Sequence, residues 1–155
     1  MARTRIGDAE GMAAVRACTA GATAANATDG TAGGVGTAGG VGTAAANATD
    51  GTAGGAGTAG ARRDIRALAV RYTLQLLAEQ AEGNTLEVRV PPFGAVQCIA
   101  GPRHTRGTPP NVVETDATTW LALANGSLSW PDGIATGLIH ASGQRADLSA
   151  HLPIL

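Results

Sequence analysis

The chain is poor in the residues that usually build a core. It has one Phe, one Tyr and two Trp in 155 residues, so few bulky side chains are available to fill an interior. It has no Lys, and all 11 basic side chains are Arg. Given the Ala and Gly load, that bias fits nucleotide composition and carries no functional weight. Charge is nearly balanced, with 11 bases against 12 acids and a formal net charge of −1. No global field draws in a polyanion or an anionic membrane surface. A nucleic-acid site would also need a basic stripe with interleaved aromatics, and there is none. The two cysteines, Cys18 and Cys98, lie far apart, and Cys98 sits in an apolar run where a thiol acts as a small hydrophobe. A reducing cytoplasm is the expected setting. Arg3 and Arg5 precede no apolar run of signal-peptide length, and no window of about 18 apolar residues suggests a membrane span. The Asn-x-Ser/Thr matches at Asn26, Asn47 and Asn125 are therefore read as chance.

Residues 19–61 contain only Ala, Gly, Thr, Asn, Asp and Val, and hold most of the 23 glycines. AANATDGTAGG occurs at Ala24–Gly34 and again at Ala45–Gly55. Stacked repeats need an apolar face to bury, and Val35 and Val41 are too little. The block is expected to be a flexible insert dividing an N-terminal helical region, 1–18, from a domain at 62–155. As a Gly-rich coil it would span roughly 35 Å. Relative to a short loop its closure costs only about 1.5 kcal/mol, so its deletion should shift the melting temperature by no more than a few degrees. Two GxGxxG matches, Gly34–Gly39 and Gly55–Gly60, follow no strand, so dinucleotide binding is rejected.

Outside the block, periodicity predicts a helix at Asp8–Cys18, with Asp8 as N-cap and Met12 and Val15 on an apolar edge. A longer helix at Asp64–Glu82 carries two apolar stripes, one through Leu68, Tyr72 and Leu76, the other through Val70, Leu74 and Leu77, closed by Gly83. Leu86–Val90 alternates as a half-buried strand, ended by Pro91-Pro92. Ala95–Ala100 should pair with it antiparallel, and Asn111–Thr115 is a third strand. Asp116 can cap a helix running to Leu123 and stopped by Asn125-Gly126. Ser129, with Pro131 and Asp132 following, opens a short helix ending at Gly137. Leu138–Ser142 reads as a last strand and Ala146–Leu152 as a closing helix stopped by Pro153. This order is an α+β sandwich, helices against a mainly antiparallel sheet.

The run VRVPPFGAVQCIAGPRHTRGTPPNVVETD, then TWLALANGSLSW and IHASGQRADLS, resembles the small bacterial sterol-carrier-like proteins, a branch of the sterol carrier protein fold. The resemblance covers 62–155 and implies an apolar tunnel between sheet and helices for a lipid, fatty-acyl or sterol-like molecule. Trp120, Leu121, Leu123, Ile134, Leu138, Leu148 and Leu152 are the expected inward-facing lining. The cluster Arg103-His104-Thr105-Arg106 is a second candidate. Its guanidiniums suit a phosphate or carboxylate, or they pair with Glu114 and Asp116 and pin the loop to the sheet. Both readings stay open. Enzymatic function is not expected, because Cys98, His104 and Asp116 come with no oxyanion or nucleophile-elbow motif. His104, His140 and His151 lack metal-ligand spacing, and no cofactor is expected. The function expected is that of a non-enzymatic carrier of an apolar ligand. The alternative is a ligand-free interaction module that uses the Arg103–Arg106 loop.

Overall fold

A computed structural model describes residues 4–25, 55–101 and 110–155. Helix α1 (Asp8–Ala25) lies along helix α2 (Gly55–Gln80). Strands β1 (Leu86–Val90), β2 (Gly94–Cys98) and β3 (Val112–Thr115) follow, then helices α3 (Ala117–Ala124) and α4 (Trp130–Ala135), strand β4 (Ile139–Ser142) and a 3₁₀ turn at Ser149–His151. The sheet order is β2-β1-β3-β4. β1 pairs antiparallel with β2 and parallel with β3, and β3 pairs antiparallel with β4. The expected α+β sandwich is present, with one parallel pairing inside a mainly antiparallel sheet.

Register decides what each face of the sheet carries. Leu86, Val88 and Val90 stand opposite Cys98, Val96 and Gly94, and Val88 is level with Val113. These residues form the face under the helices, where Leu86, Val88, Val90, Cys98 and Val113 are all fully buried. The alternate set, among it Glu87, Arg89, Gln97, Glu114 and His140, faces away from the core, and Glu87 pairs with Arg89 at 2.6 Å. The strand period of two thus sorts apolar from polar residues.

The shortage of aromatics is met by placing one of them at the centre. Trp120 is fully buried, and its indole Nε1–H donates to Thr73 Oγ1 at 2.8 Å. The Thr73 hydroxyl hydrogen-bonds the carbonyls of Ala69 and Val70 at 3.0 and 3.1 Å, so the polar atoms of this buried pair are satisfied inside α2. Small residues let the helices close around it. Gly11 of α1 sits so near the Tyr72 ring that an added methyl would overlap it.

Several boundaries differ from the sequence expectation. The residues at 19–25 and 55–61 are helical, extending α1 and α2 beyond the expected ends; propagation from a formed helix outweighs the poor propensity of Gly55, Gly57 and Gly60. These helical residues are the two ends of the expected insert, and the rest of it, with most of the duplicated sequence, lies outside the described residues. The second GxGxxG match forms the start of α2. Gly83 is not the helix cap. It lies beyond the end of α2, where the backbone passes directly against the Ile99 carbonyl, while the Ile99 amide donates to Ala81 O at 2.7 Å. The expected closing helix at Ala146–Leu152 is only the 3₁₀ turn. Asp147 caps the Ser149 amide at 2.7 Å, but Leu152 is extended, as the residue before a proline prefers. The chain then docks on α3, with the amides of Ile154 and Leu155 donating to Ala124 O at 2.9 and 3.1 Å.

Candidate functional site

A groove of about 780 Å³ lies between the outer side of α2, the β2 edge of the sheet and the N-terminal segment at residues 4–6. Its apolar surface comes from Ile6, Leu68, Leu74, Phe93 and Val96; Arg5, Arg71, Gln75 and Glu79 supply the polar rim. Leu68, Arg71, Gln75 and Glu79 recur every three or four residues, so they form one stripe along the helix, roughly 16 Å long at 1.5 Å per residue. Gly94 lets β2 approach: a side chain there would crowd Leu74 Cδ1 at 3.3 Å.

The far wall is held by side chains rather than by a ladder. The Gln75 amide grips the backbone of Ile6 twice, with Oε1 accepting from Ile6 N at 2.8 Å and Nε2 donating to Ile6 O at 3.2 Å. Arg5 adds an ion pair to Glu79 at 3.0 Å and another to Asp8 at 3.2 Å. These charges are about half exposed, so they orient the segment more than they stabilise it. Beneath them the Tyr72 hydroxyl donates to Asp8 Oδ1 at 3.4 Å, and burial, aided by the Asp8 charge, pushes its pKa up. On the near side Arg71 Nε donates to Phe93 O at 3.3 Å, fixing the β1–β2 turn to the helix.

The expected lining residues do not meet in one cavity. Trp120, Leu121, Leu123 and Leu148 are buried in the solid core. Leu123 and the half-buried Leu152 border a second, smaller opening of about 280 Å³ beside Trp130 and Pro153. Ile134 and Leu138 are 41% and 45% exposed, which corrects the inward-facing expectation for both. In α4 it is Gly133 that turns inward, against Ile139 and Leu128, and one residue further on a helix points about 100° away. Leu138 follows Gly137, whose φ of 72° turns the chain outward before β4 begins.

Arg103, His104, Thr105 and Arg106 lie outside the described residues, as does any pairing they make with Glu114 or Asp116. The end of that loop is described, and its work there is structural. Buried Asn111 donates from Nδ2 to Thr85 O and accepts from Arg145 N, both at 3.0 Å, while its own carbonyl accepts from Glu87 N at 3.0 Å. Gly143, at φ 103°, passes against Asn111 and the Pro110 carbonyl, where no side chain fits. Asp116 is engaged as the N-cap of α3. Partial burial would raise its pKa, yet hydrogen bonds from the Thr119 hydroxyl and from the Thr119 and Thr118 amides hold it below the ordinary value. Cys98 is fully buried, and burial pushes its thiol up to about 11, the behaviour of a packing group rather than a nucleophile. Among the described residues no three His, Cys, Asp or Glu side chains are placed to hold a metal ion, and no helix is long and apolar enough to cross a membrane.

A scan against family models gives a match over residues 62–154, more than half of the chain, to the family described as bacterial SCP ortholog. The chain belongs to this family. No curated protein matches it. The family segment runs from within α2 to the C-terminal tail and so contains one side of the groove, α2 and β2. The other side, residues 4–6, precedes the matched segment. In this sterol-carrier-like chain the groove therefore lies between the matched segment and the N-terminal residues 4–6 that precede it. The residues that sequence reasoning missed are Arg5, Ile6, Arg71 and Gln75. Only Arg71 and Gln75 left a sequence signal, as polar positions on a helix with two apolar stripes.

Proposed function

We propose that this sterol-carrier-like protein is a carrier that binds one apolar or amphipathic molecule, of lipid or fatty-acyl type, in the groove between α2, β2 and residues 4–6. The observation that carries this reading is the groove itself. Its volume of about 780 Å³ falls within the roughly 300–1,000 Å³ of small-molecule sites, and it combines an apolar floor with a few polar groups at the rim. Neither the buried Cys98 nor the capping Asp116 lines it, so the chemistry that it offers is holding rather than conversion. The proposed site differs from a tunnel through the core, where Trp120 and its neighbours are packed.

Native mass spectrometry of the purified full chain, before and after adding a fatty acid, tests the reading. A bound lipid mass, or a saturable one-to-one complex that raises the melting temperature, is expected. Val96→Trp, which projects an indole from β2 toward the groove, should abolish binding while leaving the circular dichroism spectrum unchanged. An apo mass with every acyl ligand tried, and no thermal shift, would overturn it.

A further inference from the structure

We propose that Arg71 selects ligands carrying an anionic head group, so that the molecule held in the groove is a single-chain amphiphile with a carboxylate or phosphate at one end. This inference rests on the groove being the binding site. Among the described residues lining it, the charged side chains are Arg5, Arg71 and Glu79. Arg5 is already engaged at every nitrogen: Nε and Nη2 reach Glu79 at 3.0 and 3.3 Å, Nη2 also reaches Asp8 at 3.2 Å, and Nη1 reaches Ile6 O at 3.5 Å. Glu79 is thereby neutralised as well. Arg71 differs from both. Its Nε is tethered to Phe93 O at 3.3 Å, while its two terminal nitrogens make no hydrogen bond or ion pair with a described residue.

The tether turns an ordinarily mobile side chain into an oriented one. With Nε held, the guanidinium keeps two parallel N–H donors available, the fork that matches two oxygens of a carboxylate or phosphate. Arg71 stands one helical turn from Leu68 and from Gln75, beside Leu74, so an anion on the fork leaves its chain beside Leu74, Val96 and Ile6. A neutral head would leave this cation no better partnered than water does. An anion replaces that solvation with a charged, two-point contact.

The test is calorimetric titration of the full chain with decanoate, decyl phosphate and 1-decanol, three probes with one tail and different heads. The wild type should bind the better of the two anions about tenfold more tightly than the alcohol. The tighter anion identifies carboxylate or phosphate as the head. Arg71→Met, which keeps the apolar stem, should erase that preference by weakening anion binding, and Arg71→Lys should restore only part of it. Equal binding of all three probes by the wild type, or a preference that survives in Arg71→Met, would overturn the role of Arg71 while leaving the groove as a site. Failure of all three to bind would remove the groove reading, and this proposal with it.

Discussion

Helix α2 shows two faces of similar length and opposite fate. One carries Ala69, Val70, Thr73 and Leu77, all fully buried, and closes on Trp120 and the sheet. The other carries Leu68, Arg71, Gln75 and Glu79, and borders the groove. Both recur at helical spacing, but Arg71, Gln75 and Glu79 make the second face the more polar of the two. They also differ in what lies opposite. The closed face meets a large indole that fills the space and has its one polar atom satisfied. The open face meets an edge strand and a short N-terminal segment, whose backbone is hydrogen-bonded to the Gln75 side chain rather than packed on the helix. A cavity persists where hydrogen-bonded groups act as spacers, and it disappears where shape-matched apolar groups meet.

The sharpest way to break the closed face is Trp120→Ala. It should cost about 3–5 kcal/mol, because it combines lost burial with a cavity, and chemical denaturation would measure it. Ligand binding in the groove of whatever fraction stays folded should be intact. If Trp120→Ala removes binding while the fold persists, the two faces are not independent. Next in size is Gly11→Val, which drives a side chain into the Tyr72 ring and should destabilise by about 1–3 kcal/mol through overpacking at the α1–α2 contact. An unchanged midpoint would mean that α1 can slide on α2 without cost.

The cap of α3 tests the closed side by pH. Asp116 has a folded pKa below the ordinary value of an aspartate, so its contribution is present above that ordinary value and is lost as pH falls through the lower folded one. Asp116→Ala should lower stability at neutral pH by about 1 kcal/mol, with the difference from wild type shrinking in acid. A difference that stays constant down to pH 2 would refute the capping role. The smallest effect is expected at the groove. Gln75→Ala should change global stability by less than about 1 kcal/mol, since the segment that it holds is largely exposed. It should nevertheless speed amide exchange at Ile6 selectively, as read by NMR. Slow exchange at Ile6 in the variant would show that the wall is held by something other than Gln75.

How much was legible depended on the range of the interaction. Asp116, Ser129 and the Asn125-Gly126 stop act within a few residues, and the ends of α3 and the start of α4 fall where those residues place them. The alternation of Leu86, Val88 and Val90 is equally local, and β1 follows it. The misreadings share a cause. Leu148 and Leu152 have helical spacing, but Pro153 and the docking of Ile154 and Leu155 on Ala124 override it. Ile134 looks like a core residue in a short helix, yet Gly133 is the position that the sheet leaves room for. The groove was not legible at all, since the Gln75–Ile6 contact spans 69 positions.

The sequence by itself determined the α+β class, the strand at 86–90 and, within one residue, the strand expected at 111–115, the caps of α3 and α4, and the sterol-carrier-like family, because these depend on local propensity, period and motif. Tertiary structure decided which face of α2 is filled and which stays open. That outcome depends on volumes and backbone distances between segments far apart in the chain: an indole against one side of the helix, and the side chain of Gln75 holding Ile6 away from the other.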